Sequence, residues 1–188
     1  GVPACTVEKP IAVGVRDWRL LVGLEAVTKT KFAVSHQCRW QPNLAKCREA
    51  IQSGEIGAVR FVDCSAGMTI SGQGTHILNY AMSLNGDSPV AQVLGTACGF
   101  SNEDPGHPGP DTTVGYLLFE NGVRGLWQTG YTSPRCGDPS IFWQHVRVGA
   151  YADRGRVEWQ EFGRWEIVRP AGEERGDFGG METWAENN

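Results

Sequence analysis

Apolar residues recur every three or four positions in three segments of the chain, residues 16–28, 42–53 and 75–84. This spacing places the apolar side chains on one face of a helix. Gly54 and Gly57 follow the second segment, and Asn85-Gly86-Asp87 follows the third, so each of these helices ends at residues that favour turns. The pattern therefore predicts three amphipathic helices.

Apolar and polar residues alternate in the remaining regular segments, which predicts strands. Three of them, residues 3–7, 32–38 and 58–68, are separated by the helices. Asn121-Gly122 lies between two later segments and is a strong hairpin signal. The predicted strands after the third helix are residues 90–100, 112–120, 123–132, 141–148, 155–159 and 165–168.

The order of the elements predicts an α+β fold. Consecutive strands without helices between them favour an antiparallel meander, and the helices are expected to cover one face of an open sheet. Four large aromatic residues in or near these strands cannot all point inward; they are Trp127, Tyr131, Phe142 and Trp143. We therefore expect an exposed apolar sheet face, covered by another copy of the chain.

Composition excludes several classes of function. The 188 residues are 40% hydrophobic and 20% charged, with a formal net charge of −4. A net negative charge without a basic cluster argues against nucleic acid as a partner. No apolar run is long enough to cross a bilayer, and no signal peptide opens the chain. We expect a soluble, cytoplasmic protein.

The six cysteines have no zinc-ligand spacing and form no CxxC pair. Reduced, buried thiols in an intracellular protein are the favoured interpretation, and secretion with disulfides is the lesser alternative. No metal site is predicted.

Glu8-Lys9-Pro10 follows the first predicted strand. The residue before a proline is pushed out of the α region, so Lys9 is held extended at the strand end. An ammonium fixed there can stabilise an alkoxide as hydride leaves the adjoining carbon. An ordinary solvated lysine in a turn is the commoner alternative.

Gly72-Gln73-Gly74-Thr75-His76 leads into the third predicted helix and places His76 in its first turn. A histidine at a helix N-terminus is disfavoured as imidazolium, so it can accept a proton. This suits a general base that removes a hydroxyl proton. A histidine held by a local hydrogen bond is the alternative. His36 is expected in a core, and His107 and His145 receive no role.

Taken in order, these motifs resemble the Gfo/Idh/MocA family of oxidoreductases, which includes glucose–fructose oxidoreductase and inositol dehydrogenase. Glu8-Lys9-Pro10 resembles the family's EKP motif at the end of a Rossmann strand. Arg39-Trp40 with Pro42, and Gly74 to Asn79, resemble the segments that follow it. The similarity runs from about Ala4 to Val168.

The resemblance implies NAD- or NADP-dependent oxidation or reduction of a sugar, cyclitol or related polyol. It implies that Lys9 and His76 are catalytic. It further implies that the cofactor contacts Glu8, Lys9 and Pro10 and that the substrate contacts Arg39, Trp40 and Asn79.

The resemblance also implies a domain organisation. Residues 1–30 correspond to the last strand and helix of a Rossmann domain, 31–170 to a substrate-binding and oligomerisation domain, and 171–188 to a tail. Because no GxGxxG fingerprint is present, we expect a fragment of a longer protein that binds no cofactor by itself. Lys9 and His76 are expected to face one cleft.

Two residues depart from the family pattern. Gly72 stands where the family commonly has an Asp four residues before the histidine, and Asn79 replaces an Asp three residues after it. A non-catalytic dimerisation or binding module that has lost its cofactor domain is therefore the alternative function.

Overall fold

The structure, a computed structural model, describes residues 2–101, 105–138 and 140–179. The chain forms two compact units, Gly1–Gln37 and Cys38–Asn188. Within the described residues, no helix is long and apolar enough to cross a membrane.

The first unit contains strand β1 (Ala4–Val7), helix α1 (Val15–Val27) and strand β2 (Lys31–Val34). β1 and β2 pair in parallel, and α1 is the crossover that parallel strands require. The sequence predicted that this unit ends at residue 30 and that the second strand continues to residue 38. The unit instead extends to Gln37, because β2 pairs with β1.

Two helices belong to the second unit. Helix α2 (Pro42–Gln52) begins with a proline, whose fixed φ suits the first helical position. Its residues Leu44, Cys47 and Ala50 are spaced by three and are buried. Helix α3 (Thr75–Leu84) has the bounds predicted from the sequence and buries residues at helical spacing, Ile77, Tyr80, Ala81 and Leu84.

Eight strands form the sheet of this unit, in the order β10-β9-β8-β7-β3-β6-β5-β4. All neighbours are antiparallel except β3 and β6, which pair in parallel. The strands are β3 (Val59–Ala66), β4 (Val90–Cys98), β5 (Thr112–Phe119), β6 (Arg124–Gly130), β7 (Val146–Ala152), β8 (Arg156–Gln160), β9 (Trp165–Arg169) and β10 (Gly172–Gly176).

This architecture confirms the predicted fold class, an open and largely antiparallel sheet with helices on one face. The expectation of a simple meander was wrong in one respect. The strands β4 to β6 and β7 to β10 each form a meander, but β3 lies between them and pairs with both β6 and β7. Its position at the centre explains why its second half is buried.

The strand β10 lies where the sequence analysis placed a tail, and residues 180–188 of that tail lie outside the described residues. Its sequence Gly-Glu-Glu-Arg-Gly has no apolar alternation. It becomes a strand because it pairs with β9 along its whole length.

The two faces of the sheet have different chemistry. The helix-covered face is apolar, and its largest fully buried residues include Trp159, Phe119 and Ile167. We call the other side the open face. It carries an ion pair between Arg147 and Asp63, with 2.7 Å between Nη2 and Oδ2.

Candidate functional site

A π-helical turn, Ile70–Gly74, leads directly into α3. The Thr69 hydroxyl fixes its start, accepting from the Gly72 N–H at 3.3 Å and donating to the His107 carbonyl at 2.7 Å. The Ser71 hydroxyl donates to the Pro108 carbonyl at 2.6 Å. These bonds attach the turn to the loop after β4 and hold the first turn of α3 in position. The sequence predicted only a break here.

Gly74 allows this turn to pack on the sheet. The Trp127 indole N–H donates to the Gly74 carbonyl at 3.0 Å, so the ring lies on the helix-covered face. A Cβ at Gly74 would lie 2.8 Å from the Trp127 ring and 3.0 Å from Ile70. Any larger residue would push α3 away from β6, because side-chain carbons do not approach that closely.

His76 lies in the first turn of α3, as the sequence predicted, and its side chain is buried. Its Nδ1 lies 3.4 Å from the Tyr80 hydroxyl, one helical turn later. This spacing follows from the helix, since residues four apart lie on the same face. Tyr80 therefore orients the imidazole ring and influences which of its nitrogens carries the proton.

Tyr80 itself is fully buried and packs edge-on against Trp159, with 5.3 Å between the ring centres. Burial, and next the nearby Glu161 carboxylate, raise the pKa of Tyr80 well above its ordinary value. The phenol therefore keeps its proton throughout the physiological pH range.

A buried polar group next to Tyr80 was not predicted from the sequence. Gln41 is buried; its side-chain oxygen accepts from the Trp159 indole N–H at 2.8 Å, and its amide donates to the Glu161 carbonyl at 3.2 Å. Glu161 is also buried. Gln41 immediately precedes α2 and Glu161 immediately follows β8, so no local spacing connects them. Only the glutamine's position before Pro42 could have drawn attention to it.

Gly72, at the position where the resemblance implies an Asp, is buried. A Cβ built there would lie 3.0 Å from the Met68 Cβ and 3.5 Å from the His107 Cβ. A carboxylate at this position would require Met68 to move. The site of this chain is therefore packed for a residue without a side chain.

The predicted substrate residues Arg39 and Asn79 lie together. An Arg39 Nη1 donates to both the backbone and the side-chain oxygen of Asn79, each at 3.3 Å. Its Nη2 forms an ion pair with Asp87 at 2.6 Å. Trp40 is 66% exposed, and the guanidinium groups of Arg39 and Arg48 lie 5.7 and 5.5 Å from its ring centre. Trp40 therefore offers an open aromatic surface flanked by positive charge.

The predicted residues Glu8, Lys9 and Pro10 directly follow β1 in the first unit. The Lys9 backbone N–H donates to the Glu8 carboxylate at 3.3 Å. Lys9 thus lies at the carboxyl end of a parallel strand, where open α/β sheets bind their ligands. Lys9 and His76 belong to different units. Their shared cleft stays a prediction.

The cysteines are all free thiols, and Cys38, Cys47 and Cys64 are buried while Cys98 is exposed. Burial raises the pKa of the Cys47 thiol to about 12. Such thiols are inert at neutral pH. In the described ranges, no three His, Cys, Asp or Glu residues lie close enough to hold a metal ion.

No protein-family model and no curated protein sequence matches the chain. Several solved structures are similar to it. An oxidoreductase from Agrobacterium radiobacter, in complex with NAD+, L-tartaric acid and magnesium, is 18% identical with a TM-score of 0.71, covering 92% of this chain and 53% of its own. An inositol dehydrogenase homologue from Azotobacter vinelandii, complexed with NADH and myo-inositol, is 15% identical with a TM-score of 0.70, covering 94% and 50%.

A super-repressor mutant of Gal80p from Saccharomyces cerevisiae is also similar, with a TM-score of 0.71 and 12% identity, covering 95% of this chain and 54% of its own. The chain thus spans about half the length of these proteins. The order of the strands, the helices on one face and these similarities lead to the same conclusion. The chain has the fold of the corresponding part of the Gfo/Idh/MocA-type oxidoreductases, as the resemblance of its motifs implied.

Proposed function

We propose that the chain is part of a longer NAD(P)-dependent oxidoreductase that acts on a sugar, cyclitol or related polyol. The observation that carries the proposal is the buried His76, held by Tyr80 in the first turn of α3 within a fold of this type. In this proposal the first unit is the last part of a Rossmann domain, and the second unit binds the substrate.

The first unit suits one end of a nicotinamide cofactor. Its parallel β1–α1–β2 arrangement presents Glu8, Lys9 and Pro10 at a strand's carboxyl end. The connection between β1 and α1 contains no GxGxxG, and so these residues would contact the nicotinamide end and not the pyrophosphate. We expect the 188 residues alone to bind the nucleotide weakly. The chemistry supplied by NAD(P), when bound, is hydride transfer with the substrate carbon.

His76 acts on the hydroxyl proton of the substrate. In the tautomer that donates from Nδ1 to the Tyr80 oxygen, Nε2 carries the lone pair that accepts this proton. Because Tyr80 keeps its own proton, it orients the imidazole without exchanging charge with it. Lys9 stabilises the negative charge that develops on the substrate oxygen.

Trp40, Arg39 and Asn79 contribute to substrate binding. Trp40 is the exposed member of this group and offers a flat apolar surface on which the C–H face of a sugar ring can pack. Arg39 is held by Asn79 and Asp87, so its main contribution is to keep Trp40 and the start of α2 in position.

The test is kinetic and uses the intact source protein with NAD+ or NADP+ and a panel of polyols. We expect His76→Ala to lower kcat by about 10²–10⁴-fold, the range for loss of a general base. Tyr80→Phe should lower kcat less and shift its pH profile, since the base is kept but its orientation is lost. His107→Gln is the control histidine variant, because its contact with Thr69 uses the backbone carbonyl.

A non-catalytic binding module is the second candidate. The packing around Gly72 favours this candidate, because the carboxylate common in the family would require Met68 to move. The structural similarity to Gal80p is compatible with it. Absence of turnover with every polyol in the intact protein would decide for this alternative. A near-normal kcat in His76→Ala would instead leave His76 with a role in substrate positioning or structure.

We also propose that the open face joins two copies of the chain. Tyr116 is 43% exposed there, directly opposite Leu126, and Leu118 lies next along the same strand. These residues form an apolar region that no described helix covers.

A further inference from the structure

The strand β4 is the outermost strand on one side of the sheet, and among the described residues it pairs only with β5. Along its other side the backbone N–H and C=O groups of alternate residues therefore point away from the sheet. Such an edge is a template for a further strand unless it is protected.

The usual protective features are nearly absent from β4. Its nine residues, Val-Ala-Gln-Val-Leu-Gly-Thr-Ala-Cys, include no charge and no proline. A register irregularity between Val90 and Gln92 distorts only its start. Val93 and Leu94, which point to opposite faces, are 67% and 77% exposed. An edge that is long, apolar and uncharged on both faces is costly to leave in water.

The opposite edge of the same sheet is different. The strand β10 carries Glu173, Glu174 and Arg175 within five residues. Charged edge residues of this kind prevent pairing between sheets. The contrast between the two edges, within one sheet, indicates that β4 is left open for a partner.

We propose that β4 pairs with β4 of a second copy of this chain, antiparallel and about a two-fold axis, to form one continuous sheet. A second copy suits this strand because an uncharged edge brings no like charges together across the axis. Overlap of the regular residues 92–98 places the axis at Gly95 and sets Leu94 opposite Thr96 of the second copy. Such a contact is closed, because each strand pairs with the free backbone N–H and C=O groups of the other and leaves no further site for a third copy.

This contact is independent of the catalytic proposal. It uses backbone groups at the rim of the sheet, whereas the open-face contact uses side chains of β5 and β6. Leu94 and Thr96 lie beside Tyr116 and Val114 and so belong to the open face as well. A charge at either residue therefore affects both contacts, and only the match between opposing charges is specific to the strand pairing.

The experiment compares two double variants of the full 188-residue chain by sedimentation velocity across a concentration series. Leu94→Lys with Thr96→Lys places lysines directly opposite each other across the axis, twice per dimer. Leu94→Lys with Thr96→Glu instead places a lysine opposite a glutamate at the same two positions. Both residues face the same side of β4, so the two variants are matched in position and exposure.

We expect the lysine–lysine variant to weaken self-association by about tenfold or more, and the lysine–glutamate variant to stay close to the unmodified chain. Hydrogen exchange followed by NMR gives a second measurement. Alternate amides within residues 92–98 should become protected as the concentration rises, because they gain partners only in the dimer.

Three outcomes would overturn the proposal. The unmodified chain could be monomeric throughout the series. The two variants could weaken association equally, which would indicate a contact through the side chains of one face. The outward amides could also be protected at concentrations where the chain is monomeric, which would mean that another segment of the same chain covers the edge.

Discussion

His145 is fully buried, and its Nδ1 accepts hydrogen bonds from the backbone N–H groups of Cys136 and Gly137 at 3.1 and 2.9 Å. An imidazole that accepts at Nδ1 carries its proton at Nε2. That Nε2 is buried and has no acceptor among the described residues. Burial, and next the positive charge of Arg135, lower the pKa of His145. Protonation would convert Nδ1 from an acceptor into a donor that faces the two backbone N–H donors. The sequence predicts no role for this histidine.

The stability of the protein should therefore decrease in mild acid. The unfolded chain binds a proton at His145 below about pH 6.5, whereas the folded chain resists it, so unfolding is favoured as the pH falls. The contribution of His145 is complete above that pH and is lost progressively below it. Urea unfolding of the 188-residue chain at pH 8, 7, 6 and 5 measures the effect.

His145→Gln is the control for this experiment. An amide can accept a backbone hydrogen bond and does not titrate. Its free energy of unfolding should fall less steeply between pH 7 and 5 than that of the unmodified chain. Parallel pH profiles for the two proteins would show that His145 is not responsible.

Among the elements, the entry to α2 depends on contacts far away in sequence. Gln41 accepts from the Trp159 indole N–H on β8 and donates to the Glu161 carbonyl just after it. These bonds join the start of α2 to the part of the sheet on which Tyr80 packs, through Trp159. Gly74 likewise fixes the start of α3 on the sheet, because it packs closely on Trp127. Each helix is thus positioned by one or two polar contacts in addition to its apolar face.

Gln41→Leu should destabilise the second unit by about 1–3 kcal/mol, because it leaves the buried indole N–H of Trp159 without an acceptor. Denaturant unfolding followed by tryptophan fluorescence measures the change. In a Trp159→Phe background, where this donor is missing, the same substitution should cost less. An equal cost in both backgrounds would show that the glutamine–tryptophan hydrogen bond contributes nothing.

At the scale of the whole molecule, the two faces and two edges of the sheet differ in what they can bind. The helix-covered face is closed by α3 over β3 and β7 and by α2 over β8 and β9. The open face is apolar around Tyr116 and Leu126, and becomes charged toward β7 and β8, where Arg147 pairs with Asp63. The edge strand β10 carries charged residues, and the edge strand β4 carries none.

Leu126→Lys should weaken the proposed open-face association, because it places a charge in the centre of the apolar region. We expect light scattering to report a smaller assembly at equal concentration, with an unchanged circular dichroism spectrum. Val27→Lys in α1, at a residue 82% exposed, is the matched control for adding a lysine to the surface. An unmodified chain that is monomeric at high concentration, or a response equal to that of Val27→Lys, would contradict the open-face contact.

Much of the local structure could be predicted from the sequence. The bounds of α3 agree at both ends, and the predicted helices at residues 16–28 and 42–53 agree within one residue. The position of His76 in the first turn of α3 was also predicted. In contrast, the sequence predicted a strand through Cys38, which lies in a 3₁₀ turn. It also missed β10.

Helical periodicity, turn residues and the order of the motifs determined the elements and the fold class, because these are properties of neighbouring residues. The parallel pairing of β3 with β6 and the joining of Gln41 to Trp159 could not be predicted in this way, nor could the exposure of β4. These features depend on contacts between residues that are 60 or more positions apart in the sequence. The space at Gly72 depends likewise on Met68 and His107 packing around it. Periodicity in the sequence predicts which face of a helix or strand a side chain lies on. Only the packed fold determines which other residues that side chain contacts.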